Sequence, residues 1–152
     1  AFLPPRCAPG VCHVISVPGV FGLFSVPGAA AYNSAKFAVV GVTEALRQEM
    51  VAASHPVAVT TVHPGGIKTA IARNAIAAEG LDQAELAKLF DKRLAKTTPH
   101  RAAQIILDAV RKKKARVLVG SDAKMLDILV RLTGSGYQRL FGPVMGRLLP
   151  KQ

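Results

Sequence analysis

The chain has 152 residues, 50% of them hydrophobic and 19% charged, with a formal net charge of +11. That apolar content excludes a disordered chain and suits one globular domain with a sizeable core. No apolar run is long enough to span a bilayer and no basic-then-apolar leader opens the sequence, so the expected location is the cytoplasm.

Ala1 to Gly10 is proline-rich and reads as the end of one element plus a loop. Val11 to Val17 is nearly continuous in apolar character, which predicts a buried parallel strand, and Pro18-Gly19 ends it. Cys7 and Cys12 are the only cysteines and read as free thiols. His13, His55, His63 and His100 show no metal-ligand spacing, so no metal site is expected. Phe21 to Ala30 reads as a loop turned by Pro27-Gly28, followed by a long helix from about Ala31 to Ala53. Phe37, Val40, Leu46 and Met50 supply its expected apolar contacts, with Glu44, Arg47 and Gln48 on a wetter face. Small residues fill its first half, which fits packing on a sheet or against a second subunit.

Ser54-His55-Pro56 ends the helix, and the β-branched run Val57 to His63 predicts a second strand. Pro64-Gly65-Gly66 then predicts a turn that uses the backbone freedom of glycine. Ala70 to Lys96 reads as helical and mixed in polarity. Thr98 and Pro99 begin a further helix as N-cap and first helical residue, with an apolar stripe of Ala102, Ile105, Ile106, Ala109 and Val110. Arg116 to Gly120 is a third short strand. The cluster Arg111 to Arg116 ends the preceding helix, where cations complement the helix dipole. It lacks interleaved aromatics, and nucleic acid is not the expected partner. Ser121 to Lys151 reads as two short helices around Thr133 to Gly136, apolar but interspersed with Lys124, Arg131, Arg139 and Arg147. Such a stretch either lies on a membrane or packs against a neighbouring element or subunit. The second reading is favoured, and a membrane is not the expected partner.

Tyr32 and Lys36 sit four apart on the long helix, on one face and one turn from each other. A free phenol titrates near ~10 and is a poor base at neutral pH. An ammonium one turn away favours the phenolate, so such a pair can exchange a proton with an alcohol or a carbonyl. By itself the spacing also fits a solvated helix pair. The wider run from Val20 to Met50, VFGLFSVPGAAAYNSAKFAVVGVTEALRQEM, resembles the active-site segment of the short-chain dehydrogenase/reductase family. His63-Pro64-Gly65-Gly66-Ile67-Lys68-Thr69 resembles the same family's proline-glycine turn after a late strand.

The resemblance implies an α/β fold, the C-terminal portion of a Rossmann-like doubly wound parallel sheet. It implies NAD or NADP as cofactor and a small-molecule alcohol or carbonyl substrate. The apolar lid and tail point to an aliphatic or lipid-like one. It implies Tyr32 as catalytic acid/base and Lys36 as its partner and ribose ligand. Pro64, Gly65 and Ile67 would pass the nicotinamide, and Thr69 would bond the carboxamide or diphosphate. The stretch from Ala70 to Lys96 would form the substrate lid. A homo-oligomer is expected.

Two departures accompany the resemblance. The family's catalytic serine lies thirteen positions before the tyrosine, which is Gly19 here, with Ser16 three positions further upstream. Losing a donor to the reacting oxygen commonly costs roughly 3–4 kcal/mol of transition-state stabilisation, so Gly19→Ser is expected to raise turnover. Neither G-x-x-x-G-x-G nor G-x-G-x-x-G occurs. Residues 1–152 therefore read as one partial domain without the dinucleotide-binding half, impaired as they stand. The alternative is a catalytically inactive remnant acting as an oligomerising or binding module.

Overall fold

The computed structural model describes residues 12–71, 73, 74, 84, 88 and 95–146. Three strands form one sheet in the order β1 (Cys12–Ser16), β2 (Val57–Pro64), β3 (Arg116–Val119), and both pairings are parallel. Cys12 is in register with Val57, and Val62 with Val117. Helix α1 (Ala30–Ala52) connects β1 to β2 and α2 (Pro99–Arg111) leads into β3. Beyond β3 come α3 (Ser121–Thr133), a 3-10 turn at Gly134–Gly136 and α4 (Tyr137–Gly146). The α/β fold and the parallel sheet agree with the sequence reading. Ala84 and Lys88 are helical, but most of the expected lid, like Cys7 and Val11, lies outside the described residues.

β2 is the most buried strand. Its β-branched residues suit a pleated sheet covered on both faces, and Val59, Thr60, Val62 and His63 are at most 1% exposed. Alternation sends Val62 to one face, where it packs with Val117, Val119 and α2 residues Ala102 and Ala109. Helix α2 starts as its sequence requires: the Thr98 hydroxyl accepts the Arg101 N–H at 3.3 Å and Pro99 stands at the first helical position. The opposite face holds a second core of Val20, Phe24, Ala123 and Tyr137, with Leu118, Leu126, Val130 and Phe141 packed around it. The helices after β3 therefore close over the loop that precedes Tyr32. The Tyr137 hydroxyl accepts the Ser25 N–H at 3.0 Å across this contact.

Three expectations are corrected. Strand β1 is half-buried rather than buried, and Ile15 is 44% exposed. It is the outer strand of the described sheet, so one of its edges has no strand beside it among the described residues. On α1, Phe37 is 43% exposed, whereas Arg47 turns inward and donates to the Val59 carbonyl at 3.1 Å. The inward stripe instead runs through Asn33, Lys36, Val40, Thr43, Arg47 and Met50. The turn after β2 forms, but Gly65 and Gly66 do not have positive φ; among the described residues the glycines that do are Gly19, Gly28, Gly120 and Gly134.

Candidate active site

Gly65 is required by space, not by backbone angle. A Cβ there would run into the carboxylate of Asp122, in the first turn of α3. Asp122 Oδ2 accepts the Gly66 N–H at 2.6 Å, the Gly65 N–H donates to the Val119 carbonyl at 2.9 Å, and the Gly66 carbonyl accepts from Lys96 and Thr97. Lys68 N–H bonds to the Thr97 carbonyl at 2.9 Å. The segment returning from the lid region is thus stitched onto the turn from Pro64 to Thr69. Gly65→Ala should lower stability by about 1–3 kcal/mol, the usual cost of overpacking. Thermal melts should show that penalty shrinking in an Asp122→Ala background, because the obstacle has gone. Additive melting shifts would contradict the contact.

Tyr32 is 49% exposed near the start of α1, and its ring meets Phe21 edge-on at 5.6 Å between centroids. The Lys36 ammonium lies over the Tyr32 ring, 5.3 Å from its centroid, a cation–π contact one helical turn long. The helix therefore holds the two side chains together, as the spacing predicts. The connection to the turn at Pro64 is indirect and runs through the loop after β1. Phe21 touches Tyr32; Gly19, two residues before it, receives the His63 ring Nδ1 on its carbonyl at 2.8 Å; and Pro64 follows His63. Because a carbonyl can only accept, His63 carries its proton on Nδ1. Burial lowers the His63 pKa, and the bond to Gly19 opposes this in part. His63 is fully buried, and its Nε2 has no hydrogen-bond partner among the described residues.

Sequence reasoning assigned no role to His63, Asn33 or Asp122. Asn33 is buried between Tyr32 and Ser34 and donates to the Phe24 carbonyl at 3.1 Å, clamping the loop onto α1. The signal for Asn33 and His63 is their position inside the two motifs. Asp122 has none, being 56 residues from its partner. A cleft of about 400 Å³ lined by Ser25, Val26, Ala30, Asn33, Ser34 and Phe37 opens beside the same loop.

Gly19 alters the expectation for Gly19→Ser. Its φ of 78° and ψ of −174° lie in a region that is essentially glycine-only, costing other residues of order 1–3 kcal/mol. Ser16 stays in β1, paired with Thr61, and cannot swing into the place of Gly19. Gly19→Ser should therefore lower the melting temperature and leave turnover unimproved. A more active, equally stable Gly19→Ser variant would show that the loop readily adopts another backbone.

In chemical type the residues present suit the nicotinamide end of a dinucleotide: the hydroxyl of half-exposed Tyr32, the Lys36 ammonium over its ring and an internally hydrogen-bonded turn that ends in Thr69. They do not fit its phosphates, because the glycine-rich loop is not in this sequence.

Known proteins similar to this chain agree with its fold and its family motifs. The family model for short chain dehydrogenases matches residues 2–80. The "Putative oxidoreductase SadH" of Mycobacterium tuberculosis is 55% identical over 150 residues, covering 99% of this chain and 54% of that protein. The chain thus spans about half the length of this relative. Among solved structures, a short chain dehydrogenase from Burkholderia cenocepacia in complex with NADP superposes with a TM-score of 0.65 at 22% identity, over 85% of this chain and 48% of that one. A short chain dehydrogenase/reductase from Burkholderia phymatum in complex with NAD gives 0.68 at 21% identity, over 82% and 48%. At these identities the structures support the fold alone.

Proposed function

Because the chain belongs to the short-chain dehydrogenase family, we propose that it forms the catalytic half of a nicotinamide-dependent oxidoreductase interconverting a hydroxyl and a carbonyl group. The observation that carries this reading is the Tyr32–Lys36 pair, held on one helical turn beside the loop after β1, which His63 ties to the strand ending at Pro64. A bound nicotinamide would supply or accept the hydride. The Tyr32 hydroxyl would give its proton to the carbonyl oxygen in reduction and take the alcohol proton in oxidation. Lys36 would stabilise the phenolate and hold the ribose; Pro64, Gly65, Ile67 and Thr69 would line the nicotinamide. The choice between NAD and NADP would be made outside these residues.

An aliphatic or lipid-like substrate suits the apolar surroundings of the Ser25–Pro27 loop, where a second cleft of about 310 Å³ is lined by Val26, Pro27, Tyr137 and Phe141 among others. A homo-oligomer in the cytoplasm completes the reading. No described helix is long and apolar enough to cross a membrane. A second reading, an inactive binding or oligomerising module, is favoured by Gly19 alone, which offers no hydroxyl to the reacting oxygen.

Titrating the full-length protein with NAD(H) and NADP(H) tests the proposal. Binding of one of them, weakened about tenfold or more by Lys36→Ala through loss of a charge-assisted hydrogen bond, is expected. Unchanged affinity in that variant would remove Lys36 from the cofactor site.

A further inference from the structure

Helix α3 has two apolar sides. Ala123, Leu126 and Val130 face the second core. Met125, Ile128 and Leu132 lie on the opposite side and are 64%, 57% and 81% exposed. Their i, i+3, i+7 spacing makes a continuous stripe where a surface helix ordinarily carries polar residues. Lys124 and Arg131 flank that stripe, and α4, packed beside α3, exposes Arg139 and Leu140.

The acidic residues of this region are turned away from the stripe. Residues 121–146 contain two, Asp122 and Asp127. Asp122 is engaged by the Gly66 N–H, and Asp127, its side chain 13% exposed, pairs with Arg116 at 2.6 Å and Arg131 at 3.0 Å. What faces outward is apolar surface bordered by cations, with no exposed carboxylate among them.

We infer that this face docks on an anionic lipid surface, with Met125, Ile128 and Leu132 entering the boundary between headgroups and acyl chains and Lys124 and Arg139 meeting lipid phosphates, while Arg131 stays paired with Asp127. Charge decides between this occupant and a second copy of the chain. Any two-fold contact through the stripe doubles the cations on the patch and brings no exposed carboxylate to pair with them. A phosphate-bearing surface complements the same rim. The helix lies on the bilayer and does not cross it. The inference stands on the surface of α3 and is independent of the catalytic reading.

The test is co-sedimentation of the full-length protein with vesicles of phosphatidylcholine alone and of phosphatidylcholine mixed with phosphatidylglycerol. Salt-sensitive binding to the anionic vesicles is expected, with little to the neutral ones. Leu132→Glu and Lys124→Glu should each reduce that binding about tenfold or more, with circular dichroism and melting temperature unchanged because both side chains are exposed. Lys112→Glu, which makes the same charge change at the end of α2, should bind nearly as the parent does. The inference is overturned if neither vesicle binds, if Leu132→Glu binds like the parent, or if Lys112→Glu weakens binding as much as Lys124→Glu. It is equally overturned by a dimer on size-exclusion chromatography that Leu132→Glu splits, since a second copy would then occupy the face.

Discussion

Tyr32→Phe in the full-length protein is expected to lower kcat by roughly 10²–10⁴-fold, the range attributed to a positioned proton donor, while cofactor affinity stays nearly constant. The substitution removes one oxygen and keeps the ring. The edge-on contact with Phe21 and the position under the Lys36 ammonium both belong to the ring, so the loop and the lysine should stay in place. Tyr32 is half-exposed and carries none of the core, so stability should change little. A loss confined to kcat has the signature of an interaction made in the transition state. Lys36→Ala should differ by harming both cofactor affinity and turnover. Parallel measurement of kcat and cofactor affinity separates the two variants. Retained turnover in Tyr32→Phe would remove the tyrosine from the chemistry.

Residues 1–152 alone should bind neither NAD(H) nor NADP(H) with useful affinity and should self-associate. Dinucleotide affinity in this fold comes largely from backbone N–H groups of a glycine-rich loop and a helix N-terminus aimed at the diphosphate. The sequence has no such loop, and the N–H groups of Gly65, Gly66, Lys68 and Thr69 are already spent on internal bonds. Association follows from what β1 and α1 leave open. The outer edge of β1 has no neighbour among the described residues, and Ile15 and Val17 are 44% and 53% exposed beside it. Val42 and Val51 on α1 are each 69% exposed. Unpaired strand edges and contiguous apolar surface both promote association. Calorimetric titration beside size-exclusion chromatography checks both halves; a monomer with micromolar cofactor affinity would falsify the account of where the phosphates bind.

The strands, the long helix and the α2 cap were legible because each rests on local chemistry: β-branched runs, a proline-free alanine-rich stretch, and threonine before proline. The inward face of α1 was not. Its stripe includes Asn33, Thr43 and Arg47, whose polar groups reach the carbonyls of Phe24, Val39 and Val59. A hydrophobic pattern cannot register polar residues that are satisfied by backbone, whether on the same helix, as for Thr43, or elsewhere in the fold, as for Asn33 and Arg47. The turn at Pro64 was read correctly for the wrong reason, since the obstacle that makes Gly65 necessary is Asp122, 57 residues along the chain. The Tyr137–Ser25 bond spans 112 residues and likewise leaves no local trace. Gly19 was located by motif spacing, but its glycine-only backbone is visible only in the folded loop.

The most direct measurement follows the hydrogen itself. Full-length protein is incubated with reduced nicotinamide cofactor, deuterated at the transferring position, and a panel of aliphatic aldehydes and ketones. Products are then read by mass spectrometry, for the parent and for Tyr32→Phe. The account predicts deuterium on the carbinol carbon of at least one product with the parent protein, and almost none with Tyr32→Phe although its cofactor remains bound. Transfer at the parent rate by Tyr32→Phe would contradict it.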